Sequence, residues 1–173
     1  MPFPQAGAVN TSTVSGVTGY MLATLATQQS AQIAAGDHLK LETVVFTRGS
    51  DISLDTTTTY ATTIGAASIG RFTLKAGKNY LLRLNAGYVL FSGATGVVDL
   101  QFYDATANAA ITTALATVFT AADASQDGAS GMTEAVFSPG QDTLVEVRIS
   151  AVTAVTRFGT TGTRAPTVWI ETL

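Results

Sequence analysis

The sequence predicts an all-β chain, an antiparallel jelly-roll β-sandwich preceded by an N-terminal arm. Three observations carry this. First, Tyr80, Leu82, Leu84, Ala86 and Tyr88 alternate with Leu81, Arg83, Asn85 and Gly87. Side chains alternate across a strand, so this is a half-buried antiparallel strand. Second, the same period recurs in 97–104 and 143–151, where Val98, Leu100 and Phe102, then Val145, Val147 and Ile149, face one way. Third, Gly, Pro and Asp clusters punctuate the chain at strand-length intervals, as in sandwiches and jelly rolls.

The organising stretch is 70–89. A short strand, Arg71 to Leu74, meets a tight turn at Lys75, Ala76, Gly77 and Lys78, and the long strand from Tyr80 leaves it. Before it, 39–46 reads as the first firm strand, broken by Gly49, Ser50 and Asp51. The threonine-rich run 56–63 reads as an edge or surface strand, because threonine tolerates both pleat and water. After it, 92–96 is a turn cluster and 97–104 a strand. Residues 106–122 fit a helix through Ile111, Leu115, Val118, Phe119 and Ala122, but their β-branched content favours a strand. Strands follow at 132–137, ended by Pro139 and Gly140, at 143–151, and at 167–173 with Trp169.

Residues 1–36 read differently, as an attachment arm before a domain of 37–173. No charged side chain occurs before Asp37. Met21, Leu22, Leu25, Gln29 and Ile33 stand at near-helical spacing, with Thr18 and Gly36 able to close the ends. One amphipathic helix and an extended segment that orders on a partner are both open. The expected partner contacts are Phe3, Tyr20, Met21, Leu22, Leu25 and Ile33, since large apolar side chains are costly to leave in water.

Composition narrows the function classes. The 173 residues carry 12% charged side chains and a net charge of −3, with a mean hydropathy of +0.30. A soluble domain usually carries about 25% charged residues. The surface is therefore neutral and polar or covered by neighbours. Lys and Arg are scattered, so no nucleic-acid footprint is expected. No apolar run is long enough for a helical membrane span, and none is expected. No basic residue precedes Lys40, so a secretory leader lacks its charged start and the chain is expected to be used whole. Cysteine is absent, which excludes a disulfide framework.

Catalysis is not expected, and no cofactor is. The single histidine, His38, reads as a surface or strand-start residue, and no nucleophile elbow accompanies it. Asp123, Ser125, Asp127 and Glu134 approach the spacing of a calcium loop, with Gly128 at the sharp turn. Ser130 stands where an apolar residue is usual, and Pro139 leaves no room for a following helix. A polar inter-strand loop is the favoured reading, with calcium its alternative.

Two segments resemble a known family. Residues 70–82, with Phe72, Thr73, Gly77 and Tyr80, resemble the hairpin of the complement-type globular head, a relative of tumour necrosis factor. Residues 137–147 resemble its later Pro-Gly-Asp turn entering a strand. The chain lacks an upstream Gly-X-Y tract and the family's cysteines, and Ala165 to Trp169 replace its usual aromatic ending. The resemblance implies a jelly roll that forms compact trimers, with Tyr80, Tyr88 and Trp169 as possible contacts at the threefold.

Charge-poor jelly rolls of this style also look like virion accessory proteins of tailed bacteriophages. The expected function is a trimeric capsid decoration, or cement, protein made in the host cytoplasm. It would sit on the virion surface with the major capsid protein as partner. The alternative is a tail-fibre or head-fibre tip that grips a host surface glycan, with Tyr103, Gln126 and Phe158 on its loops.

Overall fold

The computed structural model describes residues 18–25, 29–31, 33–62, 65–68, 70–87, 89–91, 96–111, 116–120, 131–159 and 165–173. Strands in chain order are β1 (Tyr20–Thr24), β2 (Thr43–Arg48), β3 (Ile52–Asp55), β4 (Thr59–Thr62) and β5 (Gly65–Ser68). Next come β6 (Arg71–Leu74), β7 (Tyr80–Asn85), β8 (Val89–Phe91), β9 (Gly96–Asp104) and β10 (Ala109–Ala110). Last come β11 (Ala116–Thr120), β12 (Met132–Phe137), β13 (Thr143–Thr153), β14 (Val155–Phe158) and β15 (Thr167–Thr172). No helix occurs among the described residues.

Two sheets form the sandwich, and every strand pairing is antiparallel. One has five strands in the order β12-β7-β15-β1-β2. The other has six, β10-β9-β13-β6-β3 with β11 also on β9. Small pairs β14-β8 and β4-β5 complete the set. The period-2 pattern decides what lies between the layers. From the five-stranded sheet come Met21, Ala23, Tyr80, Leu82, Leu84, Val168 and Ile170, all in the buried core. Facing them are Ile52, Phe72, Leu74 and the inward residues of β9 and β13.

The expected hairpin at 70–89 is corrected. The strand Arg71–Leu74, the tight turn and the strand from Tyr80 are all present. However, β6 pairs with β13 and β3 while β7 pairs with β12 and β15, so the turn carries the chain from one sheet to the other. Gly77 takes a positive φ of 72° in the turn, which glycine adopts without steric cost. Asp142 holds that turn from the β13 side, accepting from the Ala76 amide at 3.0 Å and pairing Lys75 at 2.6 Å. At Gly70, also at positive φ, a Cβ would run into the Leu41 carbonyl, so only glycine fits.

Several sequence expectations are corrected. The segment 20–24 is a strand, not helix and not arm: β1 is hydrogen-bonded to β15 on one side and β2 on the other. Met21, Ala23 and Leu25 point inward at period 2, and burial on that face outweighs the 3.6-residue spacing. The arm boundary at 36 therefore cuts through the sandwich. The first strand after it begins at Thr43 rather than Leu39. Leu39 and Leu41 are instead buried in irregular chain, with the Leu39 amide on the Val147 carbonyl. The run 56–63 contributes β4, paired with β5 apart from both large sheets. Strand was the right reading within 106–122, where β10 and β11 both pair with β9.

Candidate functional site

The outer face of the five-stranded sheet can be read from its register. Its middle row runs Glu134, Arg83, Trp169, Leu22, Phe46 across β12, β7, β15, β1 and β2. One flanking row runs Val136, Leu81, Glu171, Tyr20, Arg48. The other runs Met132, Asn85, Thr167, Thr24, Thr43. Apolar and aromatic side chains dominate the first two rows. The Phe46 ring packs edge-on against Tyr20, with centroids 5.5 Å apart.

Exposure marks this face. The exposed large hydrophobic residues among the described ones are Val44, Val45, Phe46, Met132, Val136 and Leu173. All lie on β2 or β12, or directly follow β15. Phe46, Met132 and Val136 stand in the outward rows, whereas Val44 pairs with the inward Ala23 and Val45 falls at the β2 bulge. Phe46 is 53% exposed, Met132 62% and Val136 65%. Such clustering marks a surface that meets another molecule, whereas scattered exposed apolar residues carry no such meaning.

The charges on the β12 side of the face are paired with one another. Arg83 Nε donates to Glu134 at 2.7 Å, and Arg83 also reaches Glu171 at 3.3 Å. The hydrogen bond with Glu134 raises the Arg83 pKa further, so the guanidinium stays charged at any working pH. Two carboxylates thus share one cation at the β12 side of the sheet.

The opposite sheet presents polar chemistry instead. Across its outer face stand Tyr103, Glu146 and Arg71, with Gln101 and Arg148 in the next row. Glu146 is fully buried beneath two arginines and a histidine. His38 Nε2 lies 3.0 Å from it, Arg71 2.7 Å and Arg148 2.6 Å. Arg148 in turn lies over the Tyr103 ring at 3.5 Å. Burial pushes the Glu146 carboxyl up, but bonds and charges from His38, Arg148 and Arg71 outweigh it and hold the pKa at about 2. His38, Arg71 and Arg148 all turn onto this one carboxylate, so the cluster fastens the 36–39 segment to β13. His38 is thus a buried partner of Glu146, not a surface residue.

The expected site residues divide as follows. Tyr20 and Leu22 do lie outward, half-buried on the candidate face. Met21 and Leu25 lie in the core and cannot meet a partner. Ile33 is partly buried against the same core. Phe3 and Tyr88 fall outside the described residues. Tyr80 is 0% exposed, with its hydroxyl 3.0 Å from the Lys75 carbonyl and 3.2 Å from that of Asp51, so it is core rather than a threefold contact. Burial raises its pKa, and the nearby Asp51 charge adds to the effect. Trp169 does sit mid-face, half-buried, opposite Arg83 and Leu22.

In the calcium-type pattern, Asp123, Ser125 and Asp127 lie outside the described residues, and Glu134 is committed to Arg83. No group of three metal-ligating side chains occurs among the described residues. Of the glycan-grip residues, Phe158 is core, Tyr103 is half-buried beneath Arg148, and Gln126 lies outside the described residues. Sequence reading missed Phe46, Met132 and Val136. The signal was the run Val44, Val45, Phe46, whose apolar character does not alternate.

Comparison with solved structures agrees with this architecture. The chain is similar to murine APRIL, crystallised at pH 5.0, with a TM-score of 0.54 at 10% identity, covering 88% of this chain and 98% of that one. It is similar to the globular domain of zebrafish complement 1qA, with a TM-score of 0.50 at 12% identity, covering 91% and 97%. Vertex protein P5 of PRD1 aligns at a TM-score of only 0.39, too low to argue from. No protein-family model matches the chain, and no curated protein matches it. The chain thus has the jelly-roll fold of tumour necrosis factor-like and complement-type heads. At these identities the likeness defines a fold and no particular activity.

Proposed function

We propose that this chain is a non-enzymatic structural protein of a bacteriophage particle. In this reading it is a trimeric decoration, or cement, protein that binds the major capsid protein and stabilises the head. It is made in the host cytoplasm and ends on the capsid surface. The observation that carries the reading is the placement of every exposed large hydrophobic residue, among those described, on one sheet. A face of that kind works by being covered. Three copies cover it by packing about a threefold, and the assembled plug then bridges shell subunits. Binding only the assembled shell stabilises it by mass action. The low charge and the uncharged leading residues support the same reading, because they favour buried contacts over solvation.

The test uses shells assembled from the major capsid protein. Added protein is expected to bind them and to raise their disassembly temperature. A chain lacking residues 1–17 is expected to remain a folded trimer and lose shell binding. Absence of shell binding by the whole chain overturns the reading. Binding of that chain to host surface glycans in its place would support the fibre-tip alternative.

A further inference from the structure

The two edges of the five-stranded sheet differ in chemistry, and they complement each other. β2 forms one edge, and all six of its residues are exposed. A strand uncovered on both faces and along one side invites pairing with another chain, and natural proteins protect such edges. Its apolar run, Val44 to Phe46, ends near Arg48. Arg48 has no ion-pair or hydrogen-bond partner among the described residues. β12 forms the other edge, with Met132 and Val136 exposed on either side of Glu134. There the balance is reversed, since Glu134 and Glu171 share the single cation Arg83. One edge is apolar with a spare positive charge, and the other is apolar with a spare negative charge.

We propose that a second copy of this chain is the occupant. The β12 edge of one protomer seats against the β2 side of the next, and Arg48 pairs with Glu134 of the neighbouring copy. This rests on the trimer reading above and assigns it a contact. Because the two edges are different patches, the contact is heterologous and repeats in one sense around a ring. It covers the β2 edge, buries Met132 and Val136 against Phe46, which faces the same way, and gives the shared Arg83 cluster its missing cation. The opposite sheet offers no such match, since its cations already converge on Glu146.

The experiment is a charge swap read by sedimentation equilibrium: wild type, Arg48→Glu, Glu134→Arg and the double variant. Each single change is expected to weaken association on the order of tenfold or more, and the double variant to recover most of the loss. Arg48 is exposed and has no ion-pair or hydrogen-bond partner among the described residues, so Arg48→Glu is expected to keep the fold, as circular dichroism can check. A trimeric wild type with an unchanged Arg48→Glu variant overturns the edge pairing and leaves the trimer standing. So does a double variant no better than the weaker single one. A monomeric wild type overturns the trimer reading itself.

Discussion

Glu146 offers the sharpest test of how the sandwich is held. The perturbation is Glu146→Gln, which keeps the side-chain shape and removes the charge. In the fold the carboxyl titrates at about 2, against an ordinary 4.5. At 1.36 kcal/mol per unit, its neutral form is less stable by about 3 kcal/mol. The side chain is 1% exposed, so solvent screening reduces this little. Glu146→Gln leaves Arg71, Arg148 and His38 around a neutral amide, and its expected cost at neutral pH is therefore about 3 kcal/mol. For a chain of this size about 1 kcal/mol moves the melting temperature by roughly 2–4 °C, so a fall of about 6–12 °C is expected. The pH dependence follows from the sign of the shift. A folded pKa below the unfolded one gives stability that is complete above about 4.5. That stability is lost as pH falls toward about 2. The assay is thermal melting of both proteins across that window at one fixed concentration, since assembly also shifts melting. The two curves are expected to converge toward pH 2. A variant melting with the wild type at pH 7, or an unchanged acid limb in Glu146→Gln, would refute the reasoning.

Other outcomes follow from particular contacts. Met21→Ala is expected to cost about 2–5 kcal/mol in chemical denaturation, as a core deletion; an arm residue would show no loss. Tyr80→Phe removes a buried hydroxyl from its carbonyl partners and is expected to cost about 1 kcal/mol in the same measurement. Gly70→Ala meets the Leu41 carbonyl at a positive φ, so it is expected to reduce soluble yield and lower the melting temperature sharply. Trp169→Glu places a second carboxylate facing outward on β15 beside Glu171. It is expected to abolish association in size-exclusion chromatography with light scattering while far-UV circular dichroism stays unchanged.

The sandwich was legible wherever one side of a strand is core and the other solvent. β7, β9, β13 and β15 each alternate. β9, β13 and β15 were read at nearly their observed bounds, whereas β7 ends at Asn85, short of the expected Tyr88. β1 was not legible, for a physical reason that concerns the site itself. Its outward residues Tyr20 and Leu22 are apolar because they belong to the exposed apolar face, so the period-2 contrast with Met21 and Ala23 vanishes. A helical spacing then fits as well as a strand does. β2 hides its role in the same way, through Val44, Val45 and Phe46 in succession. Tyr80 was misplaced, since a tyrosine on an inward strand face looks alike whether it packs in the core or at a threefold, and Trp169, expected beside it, lies outward instead. The Glu146 cluster was invisible because His38 lies 108 residues away along the chain. Nothing local in either sequence segment announces the other.

The mass of the protein in dilute neutral buffer tests most directly whether the apolar sheet is a surface shared between copies. Sedimentation velocity is expected to give one species at about three times the 17.8 kDa of the single chain. Phe46→Asp, an exposed change, is expected to return it to one chain. A single stable species of one chain's mass, soluble and unchanged by Phe46→Asp, would contradict the account.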